Sequence, residues 1–111
     1  MQASDLSTQF NLTVVAGKEG LDRIVAGGHC GDLLSEVMAN APVGCVWLTI
    51  QGHQNIIAVA ILREMAAVIL TGGNVPDDAT RTKADEEKIP IMLSDQRTYE
   101  LAGQLYAAGV L

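Results

Sequence analysis

The stretch CVWLTIQGHQNIIAVAILREMAAVILTGG, residues 45–73, decides the fold. Cys45-Val46-Trp47-Leu48-Thr49-Ile50 is a continuous apolar run with one threonine in it. A short run without polar alternation reads as a strand buried on both faces, the habit of parallel sheets. Gln51-Gly52-His53 stops it. Asn55 through Ala67 then reads as a helix that is apolar almost all round, with Arg63 and Glu64 the exceptions. Such a helix has to be buried, either in the core or in an interface. Val68-Ile69-Leu70-Thr71 follows at once as another buried strand, stopped by Gly72-Gly73-Asn74. Strand, helix and strand in this order form a parallel crossover unit.

The same alternation continues outward from that unit. Pro76 at a first helical position, with Asp77 and Asp78 in the first turn, opens a polar helix to about Lys88. Ile91-Met92-Leu93 reads as the last strand, and Asp95 or Thr98 caps a final helix with Leu101, Leu105 and Tyr106 as its apolar stripe. On the other side, Asp32 caps a helix through about Asn40, with Leu33, Leu34 and Val37 on one face. Ile24-Val25-Ala26 reads as a short strand ending at Gly27-Gly28, and Leu12 to Ala16 as an earlier one turned by Gly17-Lys18-Glu19-Gly20. Met1 to Phe10 is expected to fray. The pattern predicts one α/β domain over residues 1–111, a three-layer α/β/α arrangement with a mainly parallel sheet.

Composition narrows the function. The chain has 111 residues, room for one domain only. Hydrophobic residues make up 49% and aromatics only 4%, so the core is aliphatic. A domain this small and apolar leaves aliphatic surface exposed, and the all-round apolar surface Ile56–Leu62 predicts a homodimer or a partner protein to cover it. Net charge is −6 and the seven basic residues are scattered singly, which argues against nucleic acid. Cys30 and Cys45 do not suggest a disulfide scaffold. The longest apolar stretch, Ile56 to Leu70, is interrupted by Arg63 and Glu64 and is too short to span a membrane. Met1 to Thr8 lacks the apolar core of a secretory leader, so the cytoplasm is the expected compartment.

No catalytic apparatus is legible. The phosphate-loop pattern GxxxxGK[ST], a full GxGxxG and the nucleophile elbow GxSxG are all missing, so the chain is not expected to be an enzyme. In parallel sheets ligands bind beyond the carboxyl ends of the strands. A small ligand or nucleotide is therefore expected over Gly28, His29, Gly52, His53, Thr71, Gly72 and Gly73. The same glycines could instead do no more than turn tight loops. Asp77 and Asp78 make a multiply charged phosphate less welcome there than a neutral or singly charged compound. His29, Cys30 and His53 give an alternative reading, a small enzyme or metal-handling protein. Neither CxxC nor HxxxH spacing is present and Cys45 opens a buried strand, so no metal or cofactor is expected.

From Leu12 to Val110 the chain resembles a stand-alone DRTGG domain. The resemblance rests on Val14-Val15-Ala16-Gly17 followed by Gly20-Leu21-Asp22-Arg23, and on Gly31-Asp32-Leu33-Leu34-Ser35-Glu36-Val37-Met38. Ile69-Leu70-Thr71-Gly72-Gly73, Ile89-Pro90-Ile91-Met92-Leu93 and Tyr99-Glu100-Leu101-Ala102 complete it. Of the five letters that name the family, only Thr71-Gly72-Gly73 stands as a block. The resemblance implies a fold similar to the N-terminal domain of HPr kinase/phosphorylase and a regulatory role, linked in stand-alone members to anaerobic redox and iron-only hydrogenase systems. It does not imply kinase activity, because the phosphate-binding loop of the kinase lies in a separate domain. It supplies no catalytic residues.

Overall fold

A computed structural model describes residues 1–111. The elements in chain order are α1 (Ala3–Gln9), β1 (Thr13–Ala16), a 3-10 turn (Lys18–Gly20), β2 (Gly27–Cys30), α2 (Leu34–Asn40), β3 (Cys45–Thr49), α3 (Asn55–Leu62), β4 (Ala67–Leu70), α4 (Asp78–Glu87), β5 (Ile91–Leu93) and α5 (Thr98–Ala107). The five strands make one sheet in the order β1-β5-β4-β3-β2. β2 through β5 run parallel, and β1 lies antiparallel against β5 at the edge.

Three successive crossovers, from β2 to β5, each step one strand in the same direction. They therefore place α2, α3 and α4 on one face, where Val37, Ile57 and Ala84 join a core with Trp47, Val68 and Ile91. The other face is covered by α1 and α5, whose Leu6, Leu101 and Leu105 pack with Val46, Leu48, Ile69 and Met92. The three-layer α/β/α expectation holds. Every residue of β3 and β4 is buried, which is why those strands read as unbroken apolar runs. Trp47 is wholly buried, and its indole N–H donates to the Gly31 carbonyl at 2.8 Å. The one large polar handle in an aliphatic core is thereby satisfied.

Several local expectations are corrected. Residues 1–10 do not fray: Ala3 and Leu6 are fully buried, and the backbone of Ala3 and Ser4 donates to the carbonyls of Arg23 and Leu21. Ile24-Val25-Ala26 is not the second strand. The strand is Gly27–Cys30, in register with Cys45 to Leu48, because pairing with the buried β3 outweighs the poor strand propensity of glycine. The long helix ends at Leu62 rather than Ala67, and Glu64 turns the chain with φ of 49° before Met65 enters the core. The charged break Arg63-Glu64 is where the helix stops, and the apolar residues on both sides of it mask that boundary in the periodicity. Asp32 caps no helix, and Pro76 precedes α4, whose cap is Asp77 through its carboxylate on the Thr80 N–H. Neither Asp95 nor Thr98 caps α5; Arg97 holds that position. Tyr106 is 67% exposed and stands outside the buried stripe of Leu101 and Leu105.

Candidate functional site at the carboxyl edge

Four parallel strands deliver their carboxyl ends to one edge, at Cys30, Thr49, Leu70 and Leu93. The loops leaving them are held together by polar side chains and close backbone contacts. Asp32 reaches across to the β3 end, where one carboxylate oxygen accepts from the Thr49 hydroxyl and the Ile50 N–H, each at 2.9 Å. The Gln51 side-chain amide donates to the Asp32 carbonyl at 2.6 Å. Thr71 is buried, with its hydroxyl 2.6 Å from that of Thr98.

β4 and β5 are neighbours whose exits diverge, one to α4 on the first face and the other to α5 on the second. That divergence is the place where open α/β sheets form a binding crevice. Thr71-Gly72-Gly73 lies on its β4 side and Ser94-Asp95-Gln96 on its β5 side. Two backbone bonds tie the walls, from Gly72 N–H to the Gln96 carbonyl at 2.7 Å and from Gly73 N–H to the Ser94 carbonyl at 3.1 Å. Gly72 and Gly73 have φ of 67° and 77°, a left-handed conformation that glycine adopts freely and other residues rarely do. The Gln96 side-chain oxygen is buried without a hydrogen-bond partner.

Gly52 is glycine for a different reason. A β-carbon there would lie 2.5 Å from the Val75 carbonyl oxygen, so the β3–α3 and β4–α4 loops can touch only because it is absent. The Gly52 carbonyl also accepts from the Asp77 N–H at 3.0 Å and the Thr80 hydroxyl at 2.8 Å. His53 beside it is exposed, and its Nδ1 accepts from the Asn55 N–H at 3.2 Å.

Five of the seven expected site residues, Gly52, His53, Thr71, Gly72 and Gly73, therefore share this edge. Gly28 and His29 do not sit on a strand-end loop: they lie within β2, paired with Val46 and Trp47. His29 Nε2 is 3.1 Å from a Glu36 carboxylate oxygen on α2. Gly28, His29 and Cys30 instead line a small groove of about 160 Å³ against Leu105, Tyr106 and Val110. His29 and Cys30 are successive strand residues, so their side chains point to opposite faces. The structure does not bring His29, Cys30 and His53 together, and no group of three or more His, Cys, Asp or Glu side chains is placed to hold a metal ion.

The electrostatics of the edge are acidic. Asp32, Asp77, Asp78, Asp95 and Glu100 are all exposed around it, with Arg97 as the neighbouring base, bonded to Glu100 at 2.9 Å. The hydroxyl and N–H of Thr80 hold the Asp77 carboxyl below its ordinary value. Arg97 does the same for Glu100. Both stay ionised well into the acid range. Large apolar side chains stand exposed among these charges: Leu33 at 68%, Ile50 at 50%, Val75 at 60% and Tyr99 at 85%.

Sequence reasoning found the glycines and missed the polar groups that lock the loops, Asp32, Gln51, Ser94 and Gln96. Asp32 carried only the signal of a helix cap, and Gln51 only that of a strand stop.

What the fold and this edge define is a single-domain, three-layer α/β protein with a mostly parallel sheet and a loop-built carboxyl edge. The DRTGG domain model matches residues 14–108, from β1 to just past α5, and the chain belongs to the DRTGG domain family. That family is of the regulatory, nucleotide-binding type. No curated protein matches the chain. No helix is long and apolar enough to cross a membrane.

Proposed function

We propose that the protein is a non-catalytic regulatory module of the cytoplasm, sensing a small neutral or singly charged compound of nucleoside size at its carboxyl edge. The observation that carries this reading is the carboxyl edge itself, where Gly72 and Gly73 turn with positive φ between the diverging exits of β4 and β5, and Val75 and Tyr99 stand exposed on the segments that follow those strands. Exposed apolar side chains beside a strand-end turn, set among carboxylates, suit a flat ligand with an apolar face and no negative charge. The surrounding carboxylates repel phosphate, so the uncharged nucleoside binds better than its triphosphate. In this reading the module reports the ligand to an anaerobic redox system such as an iron-only hydrogenase, the setting implied by the stand-alone members that it resembles.

The test is a chemical-shift titration with adenosine and, separately, with ATP. Adenosine shifts the amides of Gly52, His53, Thr71, Gly72 and Gly73 and binds more tightly than ATP. Gly72→Val removes these shifts by straining a loop whose φ of 67° valine does not adopt and by bringing its β-carbon to 3.5 Å from the Asn74 amide, while the far-ultraviolet dichroism keeps its helix content because the strain lies in a turn beyond β4. Shifts confined to Pro42-Val43 and Lys88-Ile89-Pro90, at the opposite edge of the sheet, would overturn the reading.

A further inference from the structure

The amino edge of the sheet carries its own apolar patch. Ile24 is 63% exposed before β2, Val43 is 57% exposed before β3, and Leu62 is 67% exposed at the end of α3. They are neighbours in space. The Ala26 N–H donates to the Gly44 carbonyl at 2.9 Å, and the Gly44 N–H donates to the Glu64 carbonyl at 3.0 Å, which ties all three segments together. Beside them is a hollow of about 190 Å³ lined by Arg23, Ala60, Ile61, Glu64, Glu87 and Ile89. The Arg23 guanidinium closes one side of it by donating to the Lys88 carbonyl at 3.1 Å.

We infer that this amino edge binds a second copy of the same chain across a two-fold axis. The charge distribution selects that occupant. In a chain of net charge −6, two copies repel one another over most of their surface. At this patch Arg23, Arg63 and Lys88 stand among Glu19, Asp22, Glu64 and Glu87, with Lys88 paired to Glu19 at 3.8 Å, so it carries both signs and little of the net charge. A two-fold contact brings a patch against itself, and a patch of mixed sign then sets its acids against its own bases. The shape follows the same rule, because the apolar projections and the hollow lie side by side and each copy offers both. The carboxyl edge fails this condition: its acids would face acids.

This interface differs from the one expected over Ile56–Leu62. Ile56, Ile57, Val59 and Ala60 are buried within the chain between α2 and α4, which leaves the small Ala58 and the end of α3, at Ile61 and Leu62, to reach a partner.

Sedimentation equilibrium tests the inference, with the unmodified chain giving twice 11.7 kDa. Leu62→Asp and Ile24→Asp, each checked for native dichroism, give 11.7 kDa, whereas Tyr99→Asp on the carboxyl edge leaves the doubled mass unchanged. If either aspartate variant fails to fold, Val43→Asp serves in its place. An unmodified chain that stays monomeric at millimolar concentration overturns the inference, as does a dimer that survives the folded variants. The adenosine titration is read on another edge, so either result leaves the carboxyl-edge proposal to its own test.

Discussion

The two thiols show how one residue type acquires two chemistries from its surroundings. Cys45 opens β3 and is wholly buried, and desolvation pushes its thiol from 9.0 to about 11, against the opposing pull of a backbone hydrogen bond and Arg63. Cys30, on the edge strand, is exposed, and partial burial together with the Asp32 carboxylate raises it too. At pH 8, roughly one Cys45 in a thousand is thiolate. A thiol reagent at that pH therefore modifies one cysteine per chain, Cys30, and reaches Cys45 only in denaturant. Titration of both in the native protein would contradict the burial. The linkage has a definite sign. The unfolded chain releases the Cys45 proton near its ordinary value while the folded chain keeps it, so this stabilisation is complete below pH 9 and is lost as pH rises toward 11. Urea titrations of Cys45→Ser show a shallower alkaline loss of stability than the unmodified chain.

Among the elements, α1 and β2 depart furthest from the sequence reading, for opposite reasons. The α1 residues are mostly polar, which suggested a loose end, yet two well-spaced residues, Ala3 and Leu6, are enough to dock it. Leu6 is fully buried beside Met92 and Leu101 in the core of that face. Leu6→Ala accordingly costs about 2–4 kcal/mol in urea denaturation, the usual range for a buried leucine that leaves a cavity. A loss below about 0.5 kcal/mol would mean that the segment is frayed after all, as surface positions behave. β2 is the reverse case. Gly27-Gly28-His29-Cys30 has almost no strand propensity and was read as the end of a strand. It pairs because β3 is buried along its whole length and needs a neighbour on that side.

At the scale of the molecule, the sheet belongs to both cores at once. β3 supplies Trp47 to one face and Val46 and Leu48 to the other, so neither layer can melt while the other persists. Calorimetry should give one transition with an enthalpy of about 80 kcal/mol near 60 °C, the ordinary value for this length. Two resolved transitions would show that α1 and α5 unfold separately from the crossover layer. With a two-fold partner on the amino edge, the midpoint also climbs with protein concentration, because association stabilises only the folded chain.

The sequence by itself determined the parallel character of the sheet and the succession of crossovers, because Cys45–Ile50 and Val68–Leu70 are apolar on both faces and no other environment accepts that. It placed β5 to the residue and brought Thr71-Gly72-Gly73 to a strand end, since hydrophobic runs and glycine turns are local signals. The boundary between helix and strand inside Ile56 to Leu70 had one local mark, the charged pair Arg63-Glu64, and the apolar residues on either side of it do not distinguish the face that meets α2 and α4 from the face that meets solvent. Only the tertiary structure decided that Asp32 clasps the end of β3, that Gly52 gives way to Val75, and that His29 turns to Glu36 and away from His53. Each depends on where a side chain points once distant segments are packed, and a directional contact between groups far apart in the chain leaves no periodic trace in the order of residues.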